Sequence, residues 1–392
     1  MLSTPPQAPY PDAIPPLGGQ ATNNRPDPLL EVAAVFLKLG ATAFGGPAAH
    51  VAMMEEELVR RRQWLGHQEF LDLVSATNLI PGPNSTEMAI HIGRRRAGWA
   101  GLVVAGACFI LPAALLVLVC GWAYVRFGTR PQAAALMYGV KPVALAVVVA
   151  ALVTLGRTAL RTRTAIVVAA MAVGLVIAGV HELVVLVLAG LMLGATRGFG
   201  ARGTPLAVAL PPLTVAGAFG LLPLFLVFLK IGAVLYGSGY VLLAFLRADL
   251  VERHHWLTEP QLLDAIAVGQ ITPGPLFTTA TFIGYVLAGV PGAAVATAGI
   301  FLPAFVFVAI SGPLVPRLRR SPAAGAFLDG VNAASLALMA VVTVQLAGDA
   351  VVDATTALLA VASGALLATT RLNSAWLIAA GAATGLAAAA LR

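Results

Sequence analysis

The stretch Phe36-Leu37-Lys38-Leu39-Gly40-Ala41 occurs a second time, 192 residues later, as Phe228-Leu229-Lys230-Ile231-Gly232-Ala233. Other motifs recur in nearly the same register: Trp64-Leu65 as Trp256-Leu257, Pro81-Gly82-Pro83 as Pro273-Gly274-Pro275 and, after a slip of one residue, Leu111-Pro112 as Leu302-Pro303. Chance does not keep tryptophan, Pro-Gly-Pro and Leu-Pro in one register. The chain therefore consists of two copies of one structural unit.

The composition places both copies in a membrane. Of the 392 residues, 59% are hydrophobic and only 10% are charged, whereas a soluble domain carries about 25% charged residues. The net charge of +7 comes from arginine clusters between apolar runs, a pattern that sets membrane topology rather than one that binds nucleic acid. Cys108 and Cys120 lie within an apolar run and are expected to be small buried residues, not a disulfide or a metal pair.

The apolar runs predict an all-α polytopic membrane protein. A helix needs about 20 apolar residues to cross the bilayer, and the runs provide about 10 to 13 crossings on that criterion, or about 5 to 6 in each copy. Four segments follow: a disordered, proline-rich tail at 1–28 without the features of a signal peptide, a first repeat at 29–203, a connector at 204–222 and a second repeat at 223–392. Whether the connector also crosses the membrane is left open.

The charges between the runs indicate that the repeats are inverted. Arg94-Arg95-Arg96 precede the apolar run that begins at Trp99, whereas the matching stretch of the second repeat, Tyr285-Val286-Leu287-Ala288-Gly289-Val290, has no charge. Because basic residues concentrate on the cytoplasmic side, this alternation predicts that the repeats insert in opposite orientations. A parallel duplication with uneven charges is the alternative.

The Pro-Gly-Pro motif predicts a broken helix in each repeat. Two prolines around a glycine interrupt the helical hydrogen bonds, and such a break survives in a bilayer only inside protein or beside a cavity. A helix is expected to start at Asn84, with Glu87 completing a capping box, and a helix N-terminus suits an anion. The candidate substrate ligands are Pro81, Gly82, Pro83, Asn84, Ser85, Pro273, Gly274 and Pro275. The alternative is that both Pro-Gly-Pro motifs are structural kinks without a role in binding.

A second set of candidates surrounds the repeated lysines. A cation inside a spanning segment usually pairs or lines a substrate path, and neighbouring glycines allow close backbone approach. These additional candidate ligands are Lys38, Gly45, Gly46, Lys230 and Gly237. The alternative is that each lysine lies near a helix end and only extends its charged group to the membrane surface, without a role in binding.

Two further groups of residues have open roles. The charged stretch from Glu55 to Trp64 predicts a helix lying at the membrane interface, with a gate as the alternative. His50 and Glu87 are candidates for proton coupling because each can change charge near the site. For Glu87, simple helix capping is the alternative.

No nucleotide-binding or zinc-binding motif occurs in the chain, so no cofactor and no metal are expected, and gradients are expected to supply the energy.

Several stretches of the sequence resemble those of a known family. Phe44-Gly45-Gly46-Pro47-Ala48-Ala49-His50 and Leu79-Ile80-Pro81-Gly82-Pro83-Asn84-Ser85-Thr86, with the matching second copy, are similar to the long, two-domain form of the chromate ion transporter family. The resemblance implies a multi-pass protein of the bacterial inner membrane that exports chromate and confers resistance, with sulfate as the related oxyanion. Ser238-Gly239 departs from the Gly-Gly usual in the second domain.

Two other functions are carried as alternatives. A sulfate importer or exchanger would use the same site. A membrane-embedded enzyme would need catalytic acids and histidines clustered at one face, whereas Asp72 and Asp264 lie beside expected core positions. The expected partners are the oxyanion and the lipid bilayer, without nucleic acid, and the choice between a monomer and a homodimer is left open.

Overall fold

The computed structural model describes residues 27–44, 46–198, 219–236, 239–319, 321–370 and 372–391, and all regular elements in these ranges are helical. Most of the predicted tail at 1–28 and most of the connector at 204–222 lie outside the described residues, as do the candidate ligands Gly45 and Gly237.

Within the described ranges, the two repeats contain the same seven α-helices in the same order. The helices of the first repeat are α1 (Pro28–Thr42), α2 (Gly46–Met54), α3 (His67–Thr77), α4 (Asn84–Phe127), α5 (Pro131–Ala159), α6 (Arg163–Ile177) and α7 (Glu182–Gly198). Those of the second repeat are α8 (Leu221–Val234), α9 (Leu242–Leu246), α10 (Glu259–Ile271), α11 (Thr279–Arg319), α12 (Pro322–Ala350), α13 (Ala354–Thr369) and α14 (Ser374–Ala390). A π-helical segment follows α2 at Glu55–Arg61 and α9 at Arg247–Arg253.

The fourth helix of each repeat reverses its direction. Ala97 and Gly98 leave the helical conformation, with a φ of 63° at Gly98, and Gly93 packs directly against Gly101 and Ala105. In a straight helix, Gly93 and Ala105 would lie about 18 Å apart. α4 is therefore a short arm (84–96) followed by a long arm (99–127), and α11 is divided in the same way at Ala288 and Gly289.

Among the residues that the structure describes, four helices are long and apolar enough to cross a bilayer: Asn84–Phe127, Pro131–Ala159, Leu276–Ser311 and Pro322–Ala350. Five further apolar helices have 10 to 17 residues and are shorter than a straight crossing requires. Part of the apolar sequence therefore lies in helices that enter the membrane region without crossing it as a single straight rod.

In the first repeat, α3 and the short arm of α4 form a re-entrant hairpin with Pro-Gly-Pro at its tip. Glu69, at the start of α3, contacts Arg95, at the end of the short arm. Glu31, at the start of α1, accepts hydrogen bonds from Arg96 at 2.8 Å and from Arg62 at 3.1 Å. These helix ends share one face of the protein, here called the basic face, and the tip at 81–83 points away from it.

The hairpins of the two repeats enter from opposite faces. Arg94, at the basic face, donates hydrogen bonds to the carbonyls of Val308 at 3.0 Å and Ala309 at 2.7 Å, far along the long arm of α11. Residue 308 is about 27 Å along that helix from residue 290, where the arm begins, at 1.5 Å per residue. The base of the second hairpin therefore lies across the protein from the basic face. The predicted inversion follows from this geometry.

The repeats interlock through their last helices. α7 and α6 of the first repeat pack on α12, while α14 and α13 of the second repeat pack on α5. One buried cluster joins side chains of both repeats, among them Val168, Val185, Phe228 and Leu338. Because lipid competes for apolar contacts, packing of this kind holds helices together mainly through close van der Waals contact.

Candidate functional site at the Pro-Gly-Pro tips

Each Pro-Gly-Pro tip is hydrogen-bonded to the opposite repeat. The N–H of Gly82 donates to the carbonyl of Leu235 at 2.8 Å, and the N–H of Gly274 donates to the carbonyl of Ala43 at 2.7 Å. Leu235 and Ala43 are equivalent residues that follow the last turns of α8 and α1. Backbone groups freed by a break inside a membrane need partners, and here the partner repeat supplies them reciprocally.

The tips require glycine at their centres. Gly82 has a φ of 136° and Gly274 a φ of 91°, values that side-chain-bearing residues rarely adopt. Gly82 lies against the carboxylate of Glu87, and Gly274 lies within van der Waals contact of Ala113. Sequence analysis predicted the break, and the structure shows that it brings the two repeats together.

A buried polar cluster surrounds the docking point of the second tip. His50 places its Nε2 3.1 Å from the Ala43 carbonyl, the same oxygen that accepts from Gly274, and its Nδ1 3.2 Å from the Ser85 hydroxyl. Three predicted residues, His50, Ser85 and Gly274, are thus brought together from distant parts of the sequence. The positions equivalent to His50 and Ser85 in the second repeat are Leu242 and Phe277, so this cluster belongs to one repeat only.

The predicted capping box at Asn84 and Glu87 is wrong. α4 begins at Asn84 with Pro83 as the capping residue, and no side chain caps it. The Asn84 amide donates instead to Asn78 Oδ1 at 2.6 Å. The Glu87 side chain is fully buried against Gly82, and among the described residues its carboxylate oxygens have no hydrogen-bond partner.

A small enclosed polar pocket lies beside the second tip, and it is lined by Gly46, Tyr240, Gly269, Gln270, Thr272, Gly274, Leu276 and Ser374. The predicted ligand Gly46 therefore contributes from the first repeat to a pocket of the second. A methyl group on Gly46 would lie 3.0 Å from the Tyr240 hydroxyl, so close approach requires glycine here. Tyr240 and Gln270 were not identified from the sequence because each differs from the residue at the equivalent position of the first repeat, Ala48 and Asn78.

The repeated lysines form repeated ion pairs. Lys38 lies 3.4 Å from Glu57, and Lys230 contacts Asp249, so each lysine pairs with an acid on the π-helical segment of its own repeat. The Lys38 side chain is 58% exposed, whereas the Lys230 side chain is 8% exposed and that of Asp249 is fully buried. A direct role of either lysine in substrate binding stays a prediction and would require its ion pair to open.

The charged stretch predicted to lie at the interface forms the π-helical segment Glu55–Arg61 and ends at the basic face. Arg62 and Arg96 both lie over the Trp64 ring, at 5.8 and 5.1 Å from its centroid. The alternative that this charged stretch acts as a gate stays a prediction.

A cavity of about 670 Å³ lies on the face opposite the basic face. It was not predicted from the sequence. At its wall Lys141 lies 3.0 Å from Asp264, whose other oxygen accepts a hydrogen bond from the Tyr124 hydroxyl at 2.8 Å. Lys141 is the lone charge of an apolar run in the sequence. Its isolation could have identified it as a candidate functional residue.

The chain resembles known proteins along nearly its whole length. Residues 30–195 and 222–386 each match the sequence profile described as chromate transporter. A chromate transport protein of Cupriavidus metallidurans is 34% identical over 375 residues, covering 91% of this chain and 92% of the relative. One of Pseudomonas aeruginosa is 36% identical over 338 residues, covering 80% of each chain. A probable chromate transport protein of Synechococcus elongatus is 32% identical, covering 84% of this chain and 88% of the relative.

No solved structure matches the chain. The two matched segments coincide with the two structural repeats, and the long apolar helices fit a multi-pass protein of the cell membrane. The matched relatives indicate a transporter, not an enzyme. Interlocked repeats, broken re-entrant helices and full-length sequence similarity agree, and the chain belongs to the chromate transporter family.

Proposed function

We propose that this protein exports chromate from the cytoplasm and holds the anion between the two Pro-Gly-Pro tips. The observation that carries the proposal is the reciprocal pair of hydrogen bonds from Gly82 to Leu235 and from Gly274 to Ala43. These bonds tie the break of each hairpin to the end of the first helix of the oppositely oriented repeat, and the interface between inverted repeats is where secondary transporters place their substrate sites.

The chemistry of the first tip suits a tetrahedral dianion such as chromate or sulfate. α4 begins at Asn84, so N–H groups of its first turn point towards the tip, where the helix dipole also favours negative charge. The Ser85 hydroxyl lies nearby and is engaged by His50 Nδ1, so it would contact the anion only after that hydrogen bond opens. Backbone N–H groups at a helix N-terminus bind oxyanions without a full positive charge.

The distribution of arginines indicates which face of the protein meets the cytoplasm. The basic face carries Arg62 and the cluster Arg94 to Arg96, and the chain returns to it at Arg157, Arg161 and Arg163. Basic residues mark the cytoplasmic side, so the first hairpin opens towards the cytoplasm. Expelling a dianion from a negative interior is favoured by about 4.6 kcal/mol per 100 mV, or by about 2.3 kcal/mol per 100 mV when one proton leaves with it, and export therefore needs no ATP.

We also propose that a proton accompanies the anion. Glu87 is buried at the first tip without a cationic partner among the described residues, and a charged carboxylate there would be costly and would repel a dianion. Protonated Glu87 is compatible with the bound anion, so proton and anion occupy the site together rather than alternately. His50 lies close by, joined to Ser85.

Radiolabelled chromate flux into inverted membrane vesicles tests the proposal. Uptake driven by an inside-positive potential is expected, with competition by sulfate. Flux only in the opposite vesicle orientation would instead support the sulfate importer or exchanger, and absence of anion flux would overturn the transport proposal. An uncoupler separates the contribution of the proton gradient from that of the potential.

A further inference from the structure

An amide side chain precedes Pro-Gly-Pro by three residues in both repeats. Asn78 stands before Pro81, and Gln270 stands before Pro273 at the same offset of 192 residues. The proposed function assigns no ligand role to either residue. Both lie where the first helix of a re-entrant hairpin reaches the tip, since α3 ends at Thr77 and α10 ends at Ile271.

Gln270 presents an unused hydrogen-bond donor to the enclosed pocket. Its Nε2 atom is buried and has no hydrogen-bond partner among the described residues, and the pocket that it lines also contains Gly46, Thr272 and Gly274. Buried donors are normally paired, because an unpaired one has lost water without gaining a replacement. An oxyanion beside the tip would supply an acceptor for this donor.

Asn78 is oriented as a donor by its neighbour. Asn84 donates to Asn78 Oδ1 at 2.6 Å, so the Asn78 oxygen is engaged and its Nδ2 group is directed elsewhere. Asn78 is exposed, whereas Gln270 is partly buried. The amide of the first repeat is therefore accessible while that of the second lies in an enclosed pocket.

We propose that the side-chain amides of Asn78 and Gln270 are substrate ligands, one from each repeat, that donate hydrogen bonds to the transported oxyanion. This inference rests on the proposed function. Asn78 meets the anion at the first tip. Gln270 donates to it beside the second tip, where the pocket of about 10 Å³ has room for a single water molecule and must widen to admit the anion. Neutral donors suit a transporter because they orient a tetrahedral dianion without adding a fixed positive charge that would slow its release.

Binding of ⁵¹Cr-chromate and ³⁵S-sulfate to the purified full-length protein tests the assignment. For Gln270→Leu and Asn78→Leu we expect about a 10-fold weaker Kd, as loss of one hydrogen bond to a charged group implies, and a matching rise in the KM for flux. Gln345→Leu is the matched control, because Gln345 is an exposed amide on α12, and its Kd should equal that of the wild type.

Gln270→Glu keeps the side-chain volume and serves if the leucine variant does not fold. Its carboxyl group should weaken binding increasingly as the pH rises, because the ionised form repels the dianion. Wild-type Kd values in folded Gln270 variants would overturn the inference while leaving chromate transport intact. Failure of the wild-type protein to bind or move either anion would instead reject the proposed function, so the two failures are distinguishable.

Discussion

Gly82 donates its backbone N–H to the carbonyl of Leu235 at 2.8 Å, and this bond joins the break of one repeat to a helix end of the other. Its counterpart between Gly274 and Ala43 makes the contact reciprocal, as a two-fold relationship between similar units requires. A hairpin that moves must therefore either carry the opposite repeat's helix end with it or break this hydrogen bond.

Replacement of the tip glycines should impair transport. Gly82→Ala and Gly274→Ala place a methyl group at a positive φ and against Glu87 or Ala113, and the backbone strain alone costs about 1–3 kcal/mol. We expect loss of chromate flux in proteoliposomes with membrane insertion retained. Gly179→Ala is the control, because Gly179 has a φ of 78° but open space around it; equal flux losses in all three variants would argue against a special role of the tips.

Glu87→Gln should uncouple the proton from the anion. The amide imitates the protonated acid, so chromate binding should persist at alkaline pH, where wild-type binding weakens because a charged Glu87 repels the dianion. Chromate-dependent proton movement, followed with an entrapped pH dye, should disappear. Glu69→Gln, which removes a carboxylate at the basic face, should leave both properties unchanged; a Glu87→Gln protein that still moves protons with chromate would refute the coupling.

The two lysine pairs should differ in their contribution to stability. Lys230→Gln leaves the buried Asp249 without one of its cations, and removal of one partner of a buried pair costs on the order of 3 kcal/mol. Lys38→Gln removes a largely exposed partner and should cost about 1 kcal/mol or less. Thermal unfolding in detergent, followed by tryptophan fluorescence, measures the difference.

The double variant Lys230→Gln with Asp249→Asn provides the internal check on that prediction. It removes both charges and leaves Arg253 paired with Glu182, so part of the lost stability should return. A double variant less stable than Lys230→Gln alone would show that the ion pair is not the source of the effect.

The inverted topology predicts which residues are reachable from each side of the membrane. In a protein with Cys108 and Cys120 replaced by alanine, Gly66→Cys reports the basic face, and Val352→Cys, at a position that is 64% exposed, reports the opposite face. A membrane-impermeant maleimide should label Gly66→Cys in inside-out vesicles and Val352→Cys in intact spheroplasts. Labelling of both from the same side would contradict the inversion.

Much of the fold follows from a few recurring residues. The repeated Lys38 and Lys230, the two Pro-Gly-Pro motifs and the alternating arginines predict two inverted helical repeats with broken helices. The packing of Glu87 against Gly82 was not predictable, because a spacing of three residues fits a capping box equally well whether the carboxylate turns back to the helix end or packs against that glycine. The reversal at Ala97 and Gly98 was not predicted either, although Gly98 recurs as Gly289 in the second repeat.

The sequence by itself determined the membrane setting, the duplication and the two positions where helices must break, because hydropathy, register and the missing proline N–H are properties of the chain alone. Only the tertiary structure decided that each break is completed by the opposite repeat, that both lysines are paired with acids, and that His50, Ser85 and Gly274 meet. Those contacts depend on how the two repeats pack, and local residue patterns do not encode distances between segments almost two hundred residues apart.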